Sequence, residues 1–415
     1  MMCERKEVSG MNDGRNVTKA SQASLAEYNR SRILQHLYHH GVSSRAQIAK
    51  ALHLTPAAIT KITAQLIEAG AIEETGDMEG AKNRRSIGLM LDTTKFHIIG
   101  VKFARSLVQI GVFDLCGVAL SVEDMPPVTN DTIDEAVRLL HRRIESLIAG
   151  DRHVVAIGMA IPGPYMRDKG YTAVVSSMQG WSSVNFIDEL VHAFDVPVFI
   201  EQDARAGVLA HYLFDPDSHG ESNLAYYLIG EGVGLGVIDN GHIVNGALGA
   251  ATEIGHMSID VNGRPCDCGN VGCLERYCST PAIHKMLIED GSVVPGAAGM
   301  SNSEASRALF AKSAAGDEAA RALVLDIGRY VGYGCMNIFN AFNPSHIIIG
   351  DIVSEAGQPL LDEVRATVRE RSVRELYEST EITLSTMSTD AIVCGASAVA
   401  VTQFLDHPSM FFDLS

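Results

Sequence analysis

Apolar residues in the N-terminal quarter of the chain recur at spacings of three and four, the period of helices that bury one face. The rows that share this spacing are Ile33, Leu34 and Leu37; Ile48, Ala49 and Leu52; and Ile59, Ile62 and Leu66. The third row follows Thr55-Pro56, an N-cap and a proline at the first helical position. The pattern predicts helices over about 29–40 and 56–69, and between them a helix that opens at the Ser43-Ser44 pair.

The second and third of these helices are short and joined by a tight turn, which predicts a helix-turn-helix. The exposed face of the third carries small residues and one lysine, which suits a helix that enters a major groove. Residues 71–76 and 84–89 then predict a two-stranded wing with a basic tip. The candidate DNA contacts are Arg45, Thr55, Ala57, Ala58, Thr60, Lys61, Arg84 and Arg85. The alternative is a helical interaction module that does not contact DNA.

From Phe96 onward the pattern changes to apolar runs that alternate with amphipathic stretches. Strands are predicted at 96–102, 106–114, 117–122, 154–161, 198–200, 224–229 and 347–349. Helices are predicted at 132–149, 204–213, 326–342 and 390–405. Alternation of this kind is typical of α/β layering.

Composition narrows the class of protein. A chain of 415 residues that is 46% hydrophobic can form two or three domains with sizeable cores. Its apolar runs fall short of the roughly 18 residues of a membrane span, and its first residues lack the apolar segment of a secretory signal. The eight cysteines do not form the pattern of a disulfide framework, so a cytoplasmic protein is expected.

Charge is distributed unevenly along the chain. The formal net charge is −17, yet residues 1–95 hold 13 basic and 10 acidic residues. The remainder holds 20 basic and 40 acidic residues. Only the N-terminal part is therefore suited to phosphates. Its small basic excess predicts DNA binding that depends on dimerisation and weakens as salt rises.

A dense group of metal-ligating residues lies between Glu253 and Glu275. His256, Cys266, Cys268 and Cys273 follow the spacing H-x9-C-x-C-x4-C. Zinc prefers four tetrahedral nitrogen and sulfur ligands, and a Cys3His set without a water position makes a closed, structural site. The alternative is a set of reduced cysteines without a metal. The spacing favours structural Zn²⁺.

The same segment resembles the signature of the ROK family, which contains sugar kinases and sugar-responsive transcriptional repressors. Glu253-Ile-Gly-His256 is followed by Cys-Asp-Cys-Gly-Asn-Val-Gly-Cys-Leu-Glu275. The resemblance implies that a zinc loop braces a sugar pocket contacted by Glu253, His256 and Glu275. It also implies two lobes of the actin/hexokinase-like (ribonuclease-H-like) type with a cleft between them. The repressors carry a winged helix-turn-helix before these lobes, and the kinases usually lack it.

Three further segments resemble family motifs. Residues 158–165 contain a Pro-Gly-Pro loop, Ser177-Met-Gln-Gly-Trp181 stands where the family has Asn-Leu-x-Gly-Trp, and Glu201-Gln-Asp-Ala204 where it has Glu-Asn-Asp-Ala. The resemblance therefore implies sugar binding by Gly163, Ser177, Gln202, Asp203, Glu253, His256 and Glu275. In the family's kinases the aspartate at the position of Asp203 is the general base. The changes at Ser177 and Gln202 alter side-chain reach and point to a different sugar.

The motifs by which the family's kinases bind phosphate are altered in this chain. Lys102 stands where the aspartate of Asp-x-Gly-Gly-Thr belongs, Glu231 lies inside the Gly-Thr-Gly-x-Gly loop, and Asp351 replaces the second glycine of Gly-Gly. Carboxylates that face a triphosphate disfavour its binding. We therefore predict a sugar-responsive, DNA-binding transcriptional regulator, expected to be a repressor, and not an enzyme. The alternatives are an ATP-dependent sugar kinase with an appended DNA-binding domain, in which Asp203 is catalytic, and a zinc-stabilised interaction protein with neither activity.

The predicted organisation has four parts. They are a disordered tail (1–24), a winged helix-turn-helix domain (25–93), a first lobe (94–203, completed by 390–415) and a second lobe (204–389) with the zinc loop at 256–273. The predicted partners are operator DNA, a sugar or sugar phosphate effector, and further copies of the chain in a homodimer or homotetramer. No membrane association is expected.

Overall fold

The computed structural model describes residues 22–79, 85–104, 107–167, 169–172, 181 and 184–414. The chain divides into two compact units. The smaller unit joins Met1–Leu91 to Leu405–Ser415, and the larger unit is Asp92–Phe404. The first boundary lies close to the predicted boundary at residues 93 and 94.

The elements of the described residues are as follows. The helices are α1 (Gln22–His40), α2 (Arg45–Leu52), α3 (Pro56–Glu68), α4 (Ile133–Gly150), α5 (Asp203–Phe214), α6 (Glu275–Cys278), α7 (Thr280–Glu289), α8 (Asn302–Ala314), α9 (Glu318–Phe342), α10 (Gln358–Arg371), α11 (Arg374–Ser379) and α12 (Ala391–Asp406). The strands are β1 (Ser43–Ser44), β2 (Glu73–Glu79), β3 (Arg85–Met90), β4 (His97–Phe103), β5 (Val108–Asp114), β6 (Ala119–Asp124), β7 (Val154–Ile161), β8 (Tyr165–Met166), β9 (Tyr171–Thr172), β10 (Val198–Gln202), β11 (Leu224–Ile229), β12 (Val233–Asp239), β13 (His242–Ile243), β14 (His346–Gly350) and β15 (Glu381–Leu384).

The smaller unit is the predicted winged helix-turn-helix. Ser44 caps α2 in a reciprocal capping box with Gln47, and Thr55 caps α3 by accepting a hydrogen bond from the Ala58 amide. The wing strands β2 and β3 pair antiparallel, and β1 pairs with β3 as a short third strand that the pattern did not predict. All nine predicted apolar positions are buried or half-buried as helix faces, and Ile33, Leu34, Ile48, Ile59 and Leu66 are completely buried.

The first helix is longer than predicted. It begins at Gln22, so the predicted start at residue 29 was wrong, and residues 22–24 of the predicted tail are helical. Its first turns leave Leu25 exposed, so they bury no apolar row that the pattern could have revealed. Residues 1–21 of that tail lie outside the described part of the chain.

The C-terminal segment also differs from the prediction, because residues 405–415 belong to the smaller unit and do not complete the first lobe. Arg30 donates to the Leu414 carbonyl, Gln35 donates to Asp406 over 2.6 Å, and Ser409 donates to Glu27 over 2.7 Å. These polar contacts join the segment to α1. Hydrogen bonds between positions this far apart in sequence leave no periodic signal.

The first lobe of the larger unit is a sheet in the order β10-β7-β4-β5-β6. The pairs β10–β7 and β7–β4 are parallel, and β4–β5 and β5–β6 are antiparallel. Helix α4 covers one face, and the residues that it buries most deeply are Ile133, Val137, Leu140 and Ile144. Leu140 and Ile144 were predicted. The predicted Ala136, Leu139 and Leu147 are only half-buried. They lie at the edges of the apolar stripe that the four buried residues form.

The second lobe is a sheet in the order β13-β12-β11-β14-β15, covered by α7 to α10 in one continuous core. Helix α9 begins at Glu318, eight residues before its predicted start, because Asp317 caps it by accepting from the Ala320 amide. The two sheets confirm the predicted two-lobed α/β fold. No helix among the described residues is long and apolar enough to cross a membrane.

Helix α12 packs closely on the first sheet and on α5. A Cβ atom at Gly158 of β7 would lie 1.7 Å from the Ala396 carbonyl oxygen, and one at Gly100 of β4 would lie 2.7 Å from the Val393 oxygen. A Cβ atom at Gly395 would lie 2.2 Å from the carbonyl oxygen of Ala206 in α5. Glycines at these positions therefore bring α12 and α5 against the strand ends where the candidate site lies.

Candidate functional site

A cavity of about 400 Å³ in the larger unit brings the candidate sugar contacts together. Six of the seven predicted residues line it: Gly163, Gln202, Asp203, Glu253, His256 and Glu275. Ser177, the seventh, lies outside the described residues. The lining comes from segments at the carboxyl ends of β4, β7, β10, β11 and β14, where parallel strands of α/β sheets usually open onto a ligand crevice.

Gln202 and Asp203 are positioned by the start of α5. The Gln202 side chain caps the helix by accepting from the Arg205 amide over 3.1 Å, and Asp203 Oδ1 accepts from the Ala204 amide over 2.7 Å. The positive end of the helix dipole favours a carboxylate here. Gly163 must be small, because a Cβ atom would lie 2.9 Å from Gln202 Nε2 and 3.1 Å from Glu253 Oε1.

Glu253 has a strongly perturbed carboxyl group in the cavity lining. Its pKa is raised to about 7, mainly by burial and also by the nearby Asp203 and Glu275, while Arg205 opposes the shift. Its Oε1 atom is buried and accepts no hydrogen bond from the described protein atoms. Buried oxygens of this kind are normally satisfied. The geometry therefore leaves an acceptor ready for a hydroxyl group in the cavity.

A buried ion pair behind the cavity supports Glu253, and the sequence analysis missed it. Arg205 is completely buried, and its Nε donates to Glu201 Oε1 over 2.8 Å. The same guanidinium donates to the carbonyls of Gly249 and Ala251, which lead into Glu253, and Arg167 bonds the second oxygen of Glu201. The four-residue spacing of Glu201 and Arg205 is visible in the sequence. Pairs at this spacing are usually exposed and weak, so the spacing alone does not reveal burial.

The four predicted metal ligands form one cluster. The ligand atoms of His256, Cys266, Cys268 and Cys273 all lie within 4.8 Å of one another. Cys266 Sγ is 3.7 Å from His256 Nδ1, and Cys268 Sγ is 3.7 Å from Cys273 Sγ. A tetrahedron with bonds of about 2.3 Å has edges of about 3.8 Å, so the spacing fits a four-coordinate ion. These residues could hold a metal.

The metal cluster adjoins the cavity. His256 belongs to both, and Glu275 follows Cys273 by two residues, with Oε2 accepting from the Val233 amide over 3.2 Å. The turn that leads into Cys273 depends on Gly272, whose φ is +73°. A Cβ atom at this glycine would lie 1.8 Å from the Asp260 backbone oxygen. The fold of the cysteine loop therefore fixes the position of Glu275 in the cavity.

Comparison with known proteins places this geometry in a family. The sequence model of the ROK family matches residues 98–403, and that of the MarR family matches residues 27–85. The chain belongs to the ROK family. This confirms the predicted family and the predicted DNA-binding type of N-terminal domain.

Relatives matched over most of this ROK protein include transcriptional regulators. It is 30% identical over 361 residues to the DNA-binding transcriptional dual regulator NagC of Escherichia coli K12. This match covers 84% of this chain and 86% of NagC. It is 26% identical over 397 residues to the xylose repressor of Bacillus spizizenii. That match covers 94% of this chain and 99% of the repressor. These matches confirm the predicted regulator branch of the family.

The solved structures that match this chain include a regulator and a kinase. A ROK family transcriptional regulator, described as a homologue of E. coli MLC, matches with a TM-score of 0.78 and 26% identity and covers 93% of this chain and 98% of its own. A ROK glucokinase from Streptomyces griseus, solved with glucose and AMPPNP, matches with a TM-score of 0.63 and 24% identity. It covers 72% of this chain and 98% of its own, and at this identity it shows the fold alone.

Charged side chains lie at the altered phosphate motifs of this ROK chain and line part of the cavity. Lys102 Nζ lies 2.5 Å from Asp390 Oδ2, and a Cβ atom at Gly230 would lie 2.1 Å from Asp351 Oδ2. Burial lowers the pKa of Lys102, but the carboxylates of Asp390 and Asp351 outweigh it and raise that pKa overall. Burial raises the pKa of Asp351. The region is thus an internal arrangement of one cation and two acids.

The predicted DNA-reading residues fall into three groups. Ala57, Thr60 and Lys61 are exposed on α3, as predicted, while Thr55 and Ala58 form the cap of that helix. Arg45 differs, because its guanidinium donates to Thr63 over 3.1 Å and to Glu74 over 2.8 Å and so joins the helices to the wing. Arg84 and the side chain of Arg85 lie outside the described residues. The exposed face of α3 therefore remains the candidate for reading DNA.

Replacing Arg205 with methionine should destabilise the larger unit. Breaking a buried pair from one side leaves an uncompensated charge and costs about 3–5 kcal/mol, which corresponds to a fall in Tm of roughly 5–10 °C by thermal unfolding. Adding Glu201→Gln to Arg205→Met should recover part of this loss. The matched control is Arg374→Met, which breaks an exposed pair with Glu378 at the same spacing and should change Tm by about 1 °C or less. Equal effects of the two methionine variants would contradict this prediction.

Replacing Glu253 with glutamine should change the pH dependence of stability. The folded pKa of about 7 lies above the ordinary value of 4.5, so the folded state holds the proton more tightly than the unfolded state does. Ionisation of Glu253 therefore destabilises the wild type as pH rises between these values, and glutamine does not ionise. The Tm of Glu253→Gln relative to the wild type should increase from pH 5.5 to pH 7 and level off above it. Parallel curves, like those expected for the exposed control Glu145→Gln, would contradict the assignment.

Proposed function

We propose that this protein is a transcriptional repressor that releases its operator when a sugar occupies the cavity. The observation that carries the proposal is the convergence of six candidate sugar contacts on one cavity, in a chain that also carries a winged helix-turn-helix. The relative named as a xylose repressor supports it, since that match covers 94% of this chain. The proposal includes a cytoplasmic location, where a repressor meets chromosomal operators.

In the proposed complex the carboxylates accept hydrogen bonds from sugar hydroxyls. Glu253 offers its buried Oε1 atom, and Glu275 and Asp203 line the same cavity. His256 joins the metal cluster through one ring nitrogen and faces the cavity, and Gln202 supplies a side-chain amide. Gly163 leaves room for the ligand, and Ser177 is proposed to complete the site from the segment outside the described residues. Hydroxyl-to-carboxylate bonds are charge-assisted and stronger than neutral ones, so the arrangement suits a polyhydroxyl ligand.

We infer that the metal is zinc and that its role is structural. Three thiolates and one imidazole at tetrahedral spacing are the set that zinc prefers, and they leave no position for water. When bound, zinc ties the four ligands together and so fixes the loop that carries Glu275. Metal affinity thereby becomes part of the stability of the sugar site.

The proposal treats the protein as a sensor and not as an enzyme. Asp203 lies in the cavity at the position of a kinase base, which favours the second candidate, a sugar kinase. Against it, the residues of the altered phosphate motifs place the Asp351 carboxylate at Gly230 and pair Lys102 with Asp390. A triphosphate with its metal would have to displace this internal ion pair. Sugar binding without phosphoryl transfer is the outcome that these contacts favour.

Regulation requires two arrangements that differ in their affinity for DNA. We propose that the protein acts as a homodimer or homotetramer and that sugar binding closes the cleft between the lobes. The sugar then stabilises the arrangement in which two copies of α3 no longer match adjacent major grooves. Operator half-sites should lie about one helical turn, or a multiple of it, apart.

An operator titration tests this function. The purified protein should bind DNA from the region upstream of its own gene, and a saturating effector sugar should weaken that binding about tenfold or more, as measured by fluorescence anisotropy. Lys61→Ala should weaken operator binding and reduce the slope of log affinity against log salt by about one, since one phosphate contact is lost. Lys285→Ala, an exposed lysine of the larger unit, is the control and should leave both unchanged. Operator affinity that stays constant across a broad panel of sugars would defeat the proposal.

Removing one metal ligand should separate sensing from DNA binding. Wild-type protein should contain about one zinc per chain by elemental analysis, and Cys268→Ser should lose it because three ligands bind zinc far more weakly than four. The variant should keep its operator affinity and lose its response to sugar, since the loop before Glu275 is no longer fixed. Cys116→Ser, an exposed cysteine outside the cluster, is the control. A Cys268→Ser variant with a normal sugar response would refute the structural role.

A further inference from the structure

We propose that the effector is an uncharged, unphosphorylated sugar and that the acidic lining of the cavity excludes sugar phosphates. This rests on the proposed function, since it assumes that the cavity binds the effector. The relatives do not decide between a free sugar and its phosphate. The electrostatics of this chain's own residues do.

The described lining of the cavity is rich in carboxylates and poor in cations. Seven acidic residues line it: Asp124, Asp203, Glu231, Glu253, Glu275, Asp351 and Asp390. Two basic residues, Lys102 and Arg307, line it with them. A phosphate would enter a concave, partly desolvated space of its own sign, where like charges repel far more strongly than in water.

Both described cations are already engaged by carboxylates. Lys102 is 8% exposed, and its Nζ lies 2.5 Å from Asp390 Oδ2. Arg307 forms a two-pronged pair with Glu355, with both N–O distances at 2.9 Å. A phosphate could use either cation only by leaving Asp390 or Glu355 without its partner, and the Lys102 pair that it would break is largely buried on the lysine side.

The acids lie where a phosphate on the sugar would have to reach. Asp203 stands at the position of the kinase base, which faces the hydroxyl that is phosphorylated in the family's enzymes. Beyond it the cavity is lined by Glu231, and Asp351 holds its carboxylate against Gly230. Asp351 does so with a φ of +65°, a conformation that glycine adopts freely and aspartate does not. A strained backbone at this position indicates that the carboxylate is held there by its surroundings.

The same lining suits a neutral sugar. Carboxylates accept hydrogen bonds and donate none when ionised, while sugar hydroxyls donate. Glu253 Oε1 is buried without a described protein donor. Hydroxyls can satisfy such acceptors without bringing charge into the cavity, whereas a phosphate adds further acceptors and negative charge.

Direct binding to matched pairs of ligands tests the inference. Full-length zinc-loaded protein is titrated calorimetrically with glucose, mannose, fructose and N-acetylglucosamine and with the 6-phosphate of each. The fluorescence of Trp181 gives a second readout, because its ring contacts Phe103, which lines the cavity. At least one free sugar should bind, and its 6-phosphate should bind about 100-fold more weakly or worse, since like-charge contacts cost several kcal/mol.

The other outcomes have distinct meanings. A 6-phosphate that binds as tightly as its free sugar, or more tightly, overturns the inference and leaves the proposed function standing. In that case Arg105→Ala shows whether Arg105, which follows the lining residue Ala104 and lies outside the described residues, supplies the missing cation. Failure of every sugar and phosphate to bind a protein that still binds its operator overturns sugar sensing itself, and the inference with it.

Charge variants test which acids are responsible. Glu231→Gln and Asp351→Gly each remove one negative charge, and glycine also relieves the strained backbone at position 351. In each variant the affinity for the free sugar divided by the affinity for its 6-phosphate should fall about tenfold, mainly because the phosphate binds more tightly. Glu145→Gln removes one charge from the exposed side of α4 and should leave the ratio unchanged. A ratio that stays the same in both cavity variants contradicts the role given to these acids.

Discussion

The crowding of carboxylates into one cavity is the constraint on which the rest of the site depends. Like charges in a space of low effective dielectric cannot all be ionised without compensation. The protein supplies that compensation in two places: Arg205, completely buried behind Glu253, and Lys102, paired with Asp390. Where compensation is incomplete, burial and the neighbouring carboxylates raise the pKa of the carboxyl group, to about 7 at Glu253. The cavity is therefore tuned toward ligands that donate hydrogen bonds and carry no negative charge.

The architecture explains how residues so far apart in sequence form this site. Two sheets direct the carboxyl ends of their parallel strands toward the same space, and α5 begins there with Gln202 as its cap and Asp203 as its first residue. The cysteine loop adds His256 and Glu275 to the lining of this cavity. The loop has little regular secondary structure of its own, so its shape depends on turns such as that at Gly272 and on the ligand cluster. This is why a metal with no part in chemistry is proposed to matter for sensing.

Features that leave a local signal in the sequence could be predicted from it, and features that leave none could not. Metal spacing at Cys266, Cys268 and Cys273 is local, and the resemblance at Glu253 and Glu275 covers a long segment, so both pointed to residues that the structure brings together. Features that depend on distant partners were missed. Arg205 carries no mark of burial in its neighbours, and the segment after Leu405 joins α1 through isolated polar contacts. The first turns of α1 bury nothing, so apolar periodicity placed its start too late.

The central claim is that a kinase-like cleft holds a sugar but no longer admits a nucleoside triphosphate. Calorimetric titration of magnesium and a non-hydrolysable ATP analogue into the sugar-saturated protein measures this directly. The account predicts no binding heat up to millimolar analogue, because Lys102 is engaged with Asp390 and the carboxylate of Asp351 fills the space beside Gly230. Saturable binding of one analogue per chain in the micromolar range would contradict the account and favour a sugar kinase.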